Sequence, residues 1–242
     1  MKTILLKFAG PLQAWGTNSH FETRYTDRYP SKSAVIGILA ASLGYRRNET
    51  ENICKLNALD YAVRIDQPGT LLRDYHIAMR YLDESRLMKK VSPDRNNRTY
   101  VTNRYYMQDA VFVVAVGSAE VSLMDSIEEA LKSPYFQPFL GRRSLPLNAD
   151  FYLTSTNEDV IKSLKNLSWQ ASKWYQNSFR NKNKVNLDIY ADSDLIETSK
   201  SEMKRDLVLS FSQEQRQHGF RPISKTQTKI SLEHDAYNAI GG

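Results

Sequence analysis

Three short stretches of this chain carry residue types suited to holding an anionic strand. Gly141-Arg142-Arg143-Ser144 places two guanidinium forks beside a glycine with exposed backbone N–H groups, a combination that suits phosphate oxygens. Arg24-Tyr25-Thr26-Asp27-Arg28-Tyr29-Pro30-Ser31-Lys32-Ser33 interleaves basic and aromatic side chains just before a helix start. Helix N-termini favour anions, and aromatic faces stack on unpaired bases. Arg98-Thr99-Tyr100 through Arg104-Tyr105-Tyr106 repeats that chemistry. A plain alternative stands beside each: a solvated turn, a charged loop whose tyrosines cover the core, and a hairpin whose tyrosines pack across strands. Gln13 and Trp15 join the candidates from the loop Gly10 to Gly16, with Trp15 readable equally as a stacking residue or a buried anchor.

Catalysis has one opening. In Arg73-Asp74-Tyr75-His76 a histidine beside a tyrosine has the makings of a general base that cleaves RNA without metal. The competing reading, in which Asp74 orients Arg73 and His76 is structural or exposed, is favoured. Arg73, Tyr75 and His76 are therefore counted as RNA-binding residues and no catalytic residue is assigned. His20, His76, His218 and His234 show no metal-ligand spacing, and the single Cys54 excludes an internal disulfide or a cysteine-based zinc site within one chain. The glycine fingerprints of nucleotide loops are absent. The expectation is no metal and no cofactor.

The balance of charge agrees with an acidic partner. The 242 residues carry a formal charge of +6, with a pI near 9.2, and 41% are hydrophobic, enough for a buried core. No apolar run approaches a membrane span of roughly 18 residues, and the start lacks the apolar core and cleavage site of a signal peptide. A cytoplasmic protein without a membrane partner is expected.

Elements that position these residues follow from periodicity. Ile4, Leu6 and Phe8 share one face of a first strand. Ser31 or Ser33 caps a helix over Ala34 to Leu43, with Gly44 at its C-terminal turn. A second helix is expected over Thr50 to Leu59 and a strand over Tyr61 to Asp66. Asp109 to Val116 is the strongest strand signal, and its unbroken apolar run predicts a central strand covered on both faces. Ser122 is the expected cap of a helix over Leu123 to Lys132, and Phe151 to Leu153 closes the sheet. Between them, residues 71–107 hold eight basic residues against four acidic ones, and read as a projecting hairpin or arm.

The order strand, helix, strand, strand, helix, strand is the ferredoxin-like pattern shared by RRM modules. The expected class is α+β: an RRM-like core over residues 1–155, an inserted arm within 71–107, and a β-containing C-terminal extension over 156–242 that packs on the core. A strand is expected at Asp206 to Phe211, while Trp169 to Glu202 has no assigned role.

Four segments in order carry a resemblance. They are Ala9-Gly10-Pro11-Leu12-Gln13-Ala14-Trp15-Gly16; Arg28-Tyr29-Pro30-Ser31-Lys32-Ser33 with Gly37 and Leu43-Gly44; Arg73-Asp74-Tyr75-His76; and Tyr135 through Phe139-Leu140-Gly141-Arg142-Arg143-Ser144-Leu145-Pro146-Leu147. Together they resemble the CasD-type, or "Cas five", family of RAMP subunits of type I-E CRISPR surveillance complexes (Cascade). The resemblance implies an RRM-like RAMP core whose inserted arm, over 77–107, is a thumb, and a non-catalytic subunit in antiviral defence. Such a subunit grips the 5′ handle of the crRNA and caps one end of the complex. The implied partners are the crRNA, a CasC-type backbone subunit and a CasA-type large subunit, with target DNA reached only through the complex. Gly141 to Ser144 would be the RAMP glycine loop, and Arg28 to Ser33 would face the RNA. Related type I-C members cut repeat RNA themselves, so a metal-independent endoribonuclease is the alternative, although their Tyr-Lys-His constellation has no clear counterpart here.

Overall fold

The computed structural model describes residues 1–16, 22–79, 99–197 and 200–232. His20, Arg98 and the middle of the expected arm, residues 80–98, lie outside the described residues, as does the side chain of Tyr100.

A seven-stranded sheet organises the fold. Strand β1 (Lys2–Ala9) leads into two short strands, β2 (Leu12–Gln13) and β3 (Thr23–Arg24). Helix α1 (Lys32–Ser42) follows, then α2 (Thr50–Lys55) and a single tighter turn at Leu56–Ala58, which replaces the last turn of the longer helix expected there. Strands β4 (Asp60–Gln67), β5 (Thr70–Met79), β6 (Thr99–Gln108) and β7 (Val111–Ser118) come next, then helix α3 (Val121–Lys132) and strand β8 (Tyr152–Thr156). The chain ends with α4 (Val160–Asn166), α5 (Lys173–Asn177), β9 (Lys184–Asp192), β10 (Glu202–Ser210) and β11 (Gln217–Ser231).

The sheet order is β10-β11-β9-β4-β7-β1-β8, with every neighbouring pair antiparallel. Strands β4, β7, β1 and the edge strand β8, with α1 and α3, run strand-helix-strand-strand-helix-strand along the chain. The last three strands extend the same sheet beyond β4.

Strand β7 sits between β4 and β1, and burial of Val111 through Gly117 accounts for its unbroken apolar run. Phe112, Val114 and Val116 pack toward α1 and α3, while Val113 and Ala115 pack toward α4. The strand begins two residues later than expected because Asp109 adopts a positive φ of 54° in the turn from β6. It also runs past Gly117, where Val160 and the Thr3 hydroxyl leave no room for a Cβ.

Local capping sets the helix ends. Ser31, not Ser33, caps α1 by accepting from the Ala34 N–H, and Gly44 ends it at φ +84°. Helix α3 begins at Val121 without the expected Ser122 cap. Asp159 caps α4 through the Lys162 N–H. None of the described helices is long and apolar enough to cross a membrane.

Two buried ionic clusters join the C-terminal part to the central strands. Arg64 is fully buried in β4. It grips Asp66 with Nε–Oδ1 at 2.7 Å and Nη2–Oδ2 at 2.8 Å, and donates to the carbonyls of Leu164 in the last turn of α4 and of Leu167 and Ser168 just past it. On the opposite side of the sheet, Arg221 of β11 forks onto Asp206 of β10 at 2.7 and 3.0 Å and also meets Asp192. Buried charges are tolerated only with this degree of pairing.

Candidate nucleic-acid interface

Strands β5 and β6 form a hairpin paired along its described length, from Thr70↔Gln108 to Met79↔Thr99. The other edge of β6 carries β2, at Met107 and Gln108, and β3, in parallel, at Asn103 and Arg104. This second sheet holds most of the candidate residues, and strand alternation divides them between two faces.

One face is basic. Arg24 and Arg104 are register partners, so they share it. Arg142 joins them from the 141–144 loop. Its guanidinium carbon lies 4.2 Å from the Tyr106 ring centroid, and Nη2 donates to the carbonyls of Arg24 at 3.3 Å and Tyr105 at 3.2 Å. Nε of Arg104 and Nη1 of Arg142 are buried without a hydrogen-bond partner among the described residues. Among those residues, Arg24, Arg104, Arg142 and Arg143 make no ion pair. His76 is exposed on this face, opposite Thr102.

The other face is aromatic and apolar. Tyr25 stacks on Tyr105 with centroids 5.2 Å apart. Leu71, Tyr75, Ile77 and Val101 are exposed, and Arg73 donates to the Asn103 side chain at 2.8 and 3.0 Å. Tyr75 and His76 therefore point to opposite faces and do not form a juxtaposed pair.

The 141–144 loop is built against the first loop. Ala14 N–H donates to the Leu140 carbonyl, and Gly141 sits at φ +84° with a built Cβ only 1.6 Å from the Ala14 carbonyl oxygen, so only glycine fits. Gly141, Arg143 and Ser144 are exposed, whereas Arg142 is largely committed to the protein.

Four candidates are placed in the interior instead. Gln13 is fully buried; its amide donates to the carbonyls of Ala110 at 2.7 Å and Phe8 at 3.3 Å and accepts from the Trp15 indole at 3.1 Å. Trp15 is 1% exposed and stacked on Phe8, so it offers no face to a base. Its backbone instead holds the loop before α1 through Thr26 and Asp27. Lys32 is 6% exposed, with Nζ 2.9 Å from Asp192 and its backbone N–H donating to Asp206 at 2.9 Å. Ser33 is buried against the Ser31 hydroxyl. Each has a structural partner that satisfies it, which removes it from a strand-facing surface. Arg28 is exposed in the preceding loop, away from the arginines of the hairpin's basic face. Tyr29 stacks on Tyr190 at 4.3 Å, and burial pushes its hydroxyl pKa up.

Tyr106 was overlooked as the platform for Arg142, and Tyr25 as the partner of Tyr105. Alternation along Tyr105-Tyr106 was the available signal, since adjacent tyrosines on a strand must serve different faces.

The family of CRISPR-associated proteins described as Cas_Cas5 matches residues 3–223. A curated relative, the CRISPR system Cascade subunit CasD of Escherichia coli (strain K12), is 35% identical over 175 residues, which span 67% of this chain and 75% of the relative. A chain of a solved CRISPR RNA-guided surveillance complex superposes with a TM-score of 0.74 at 30% identity, covering 95% of this chain and 91% of that one. A second solved structure, described as a Cas protein, gives 0.61 at 25% identity with 95% of both chains covered. The chain is a member of the Cas5 family of CRISPR-associated proteins.

Proposed function

We propose that this chain is a non-catalytic subunit of a Cascade-type CRISPR surveillance complex, where it holds the 5′ handle of the crRNA and caps one end of the assembly. The observation that carries the proposal is the convergence of Arg24, Arg104 and Arg142, with Arg143 beside them, at the base of the hairpin. Asp74, the register partner of Arg104, lies on the same face, yet none of these arginines forms an ion pair among the described residues, so the positive charge there exceeds the negative. Like charges gathered this way favour an external polyanion. The likeness to a Cascade subunit and to a chain of an RNA-guided complex supports crRNA as that polyanion.

In this reading the antiparallel strands β8-β1-β7-β4 with α1 and α3 are the RRM-like RAMP core, and the β5–β6 hairpin is the thumb. A CasC-type backbone subunit and a CasA-type large subunit are the protein neighbours, and the complex is cytoplasmic.

The test is RNA retention by the assembled complex as salt is raised. Arg24→Gln with Arg143→Gln removes charge while sparing the Arg142 contacts to the chain. Each lost phosphate contact is expected to flatten the log–log salt slope by about 0.7. Retention and slope equal to wild type would reject the assignment.

A further inference from the structure

Residues 173–188, which had no assigned role, form one wall of a groove that the basic face of the hairpin does not share. The groove encloses about 890 Å³. Its lining includes Arg28 from the loop before α1, Leu71 and Met107 from the aromatic face of the hairpin, Tyr175 and Phe179 from α5 and the turn after it, and Lys184 at the start of β9.

The aromatic wall is held in place from behind. Trp169 is 8% exposed, donates its indole N–H to the Asp66 carbonyl at 2.8 Å, and makes T-shaped contacts with Tyr175 and Phe179 at centroid distances of 5.9 and 5.5 Å. Tyr175 and Phe179 are thus fixed yet only half-buried, so little rotamer freedom remains to be lost on stacking. Lys182 Nζ lies 4.9 Å from the Phe179 centroid.

Charge decides what kind of occupant suits this wall. The two acidic residues in the lining are matched within the protein: Asp66 by Arg64, and Asp188 by Lys225 at 2.8 Å and Gln227 at 2.7 Å. The rim is therefore positive, with Arg28 and Lys184 both exposed. Cations flanking fixed, half-open aromatic rings match an unpaired nucleic-acid strand, with phosphates at the rim and bases against the rings.

We propose that this groove takes a short unpaired segment of the bound RNA, with Tyr175 and Phe179 stacking on bases and Arg28 and Lys184 contacting phosphates. The proposal rests on the RNA-holding reading above and extends it to a second surface, supplied largely by the C-terminal part of the chain. The RNA then passes both faces of the hairpin base.

The experiment is ultraviolet crosslinking of the intact co-expressed complex followed by mass spectrometry of tryptic peptides. The peptide Trp174–Arg180, bounded by Lys173 and Arg180, is expected to carry nucleotide adducts. In Arg28→Gln with Lys184→Gln the adduct yield on that peptide should fall several-fold relative to the adducts on hairpin peptides of the same complex, and an unchanged ratio would overturn the phosphate contacts. Adducts on hairpin peptides with none on Trp174–Arg180 would overturn the groove and leave the RNA-holding reading standing. Crosslinks from this wall to a partner subunit's peptides in place of RNA would overturn it in favour of protein docking. A complex without RNA would overturn the underlying reading, and the groove proposal with it.

Discussion

Arg142 lies over the ring of Tyr106, 4.2 Å from guanidinium carbon to centroid, and ties the 141–144 loop to the hairpin through the carbonyls of Arg24 and Tyr105. Its neighbour Arg143 is exposed. The two adjacent arginines therefore do different work. Arg142→Ala removes a cation–π contact and two charged hydrogen bonds, and is expected to cost about 2 kcal/mol of stability. Arg143→Ala should stay within about 0.5 kcal/mol. Denaturant midpoints at unchanged m-value measure both. Equal costs would refute this division.

Gly141 has a stricter requirement than its arginine neighbours. Gly141→Ala places a methyl inside the van der Waals radius of the Ala14 carbonyl oxygen at a backbone angle that disfavours any side chain. A loss of at least about 2 kcal/mol is expected, together with weaker RNA retention because the loop shifts off the hairpin. Thermal melting checks the first effect, and copurifying RNA the second. A variant as stable as wild type would show that the two loops are not packed as described.

Lys32 is held by Asp192 and, through its backbone N–H, by Asp206, within the network centred on Arg221. Its role is to join α1 to the C-terminal strands. Lys32→Met should therefore lower stability while leaving the salt slope of RNA retention unchanged. Asp206→Asn removes the carboxylate that the buried Arg221 guanidinium grips with two hydrogen bonds and is expected to cost about 3 to 5 kcal/mol. A changed salt slope in Lys32→Met would instead place that lysine on the RNA.

Acid sensitivity has a local source. Glu128 accepts from Lys132, Lys2 and Tyr152, and these contacts hold its pKa at about 2, against an ordinary 4.5. A carboxylate depressed in the folded state stabilises above its unfolded pKa, and that contribution is lost as pH falls from 4.5 toward 2. Glu128→Gln should thus be less stable than wild type near pH 7, with the gap closing as the pH approaches about 3. Denaturation midpoints across that range test it, and a gap independent of pH would contradict the assignment.

Much of the fold was legible where one interaction dominated. The apolar run in β7 announced a strand covered on both faces, and Ser31 with Gly44 bracketed α1. The C-terminal strands were harder to read. Pairing of β10 with β11 shifts register between Lys204 and Leu207 and again between Val208 and Ser210, which breaks the alternation that would reveal them. Strand β11 buries Arg221 and Ile223 on one face and Ser224 and Thr228 on the other, so neither face reads as an apolar stripe. Among the candidate site residues, the exposure of Arg24, Arg73 and Arg143 was readable from local composition. Lys32 was misleading for a physical reason: its carboxylate partners lie some 160 and 174 positions away. Only the folded sheet brings them together.

The central claim is that this chain holds a defined RNA end inside a multisubunit complex. The most direct measurement is to co-express tagged chain with its neighbouring genes, purify the assembly and sequence the 5′ ends of the RNA that accompanies it. The account predicts partner subunits in the same fraction and one uniform, repeat-derived 5′ end. Heterogeneous RNA without stable partners would contradict it.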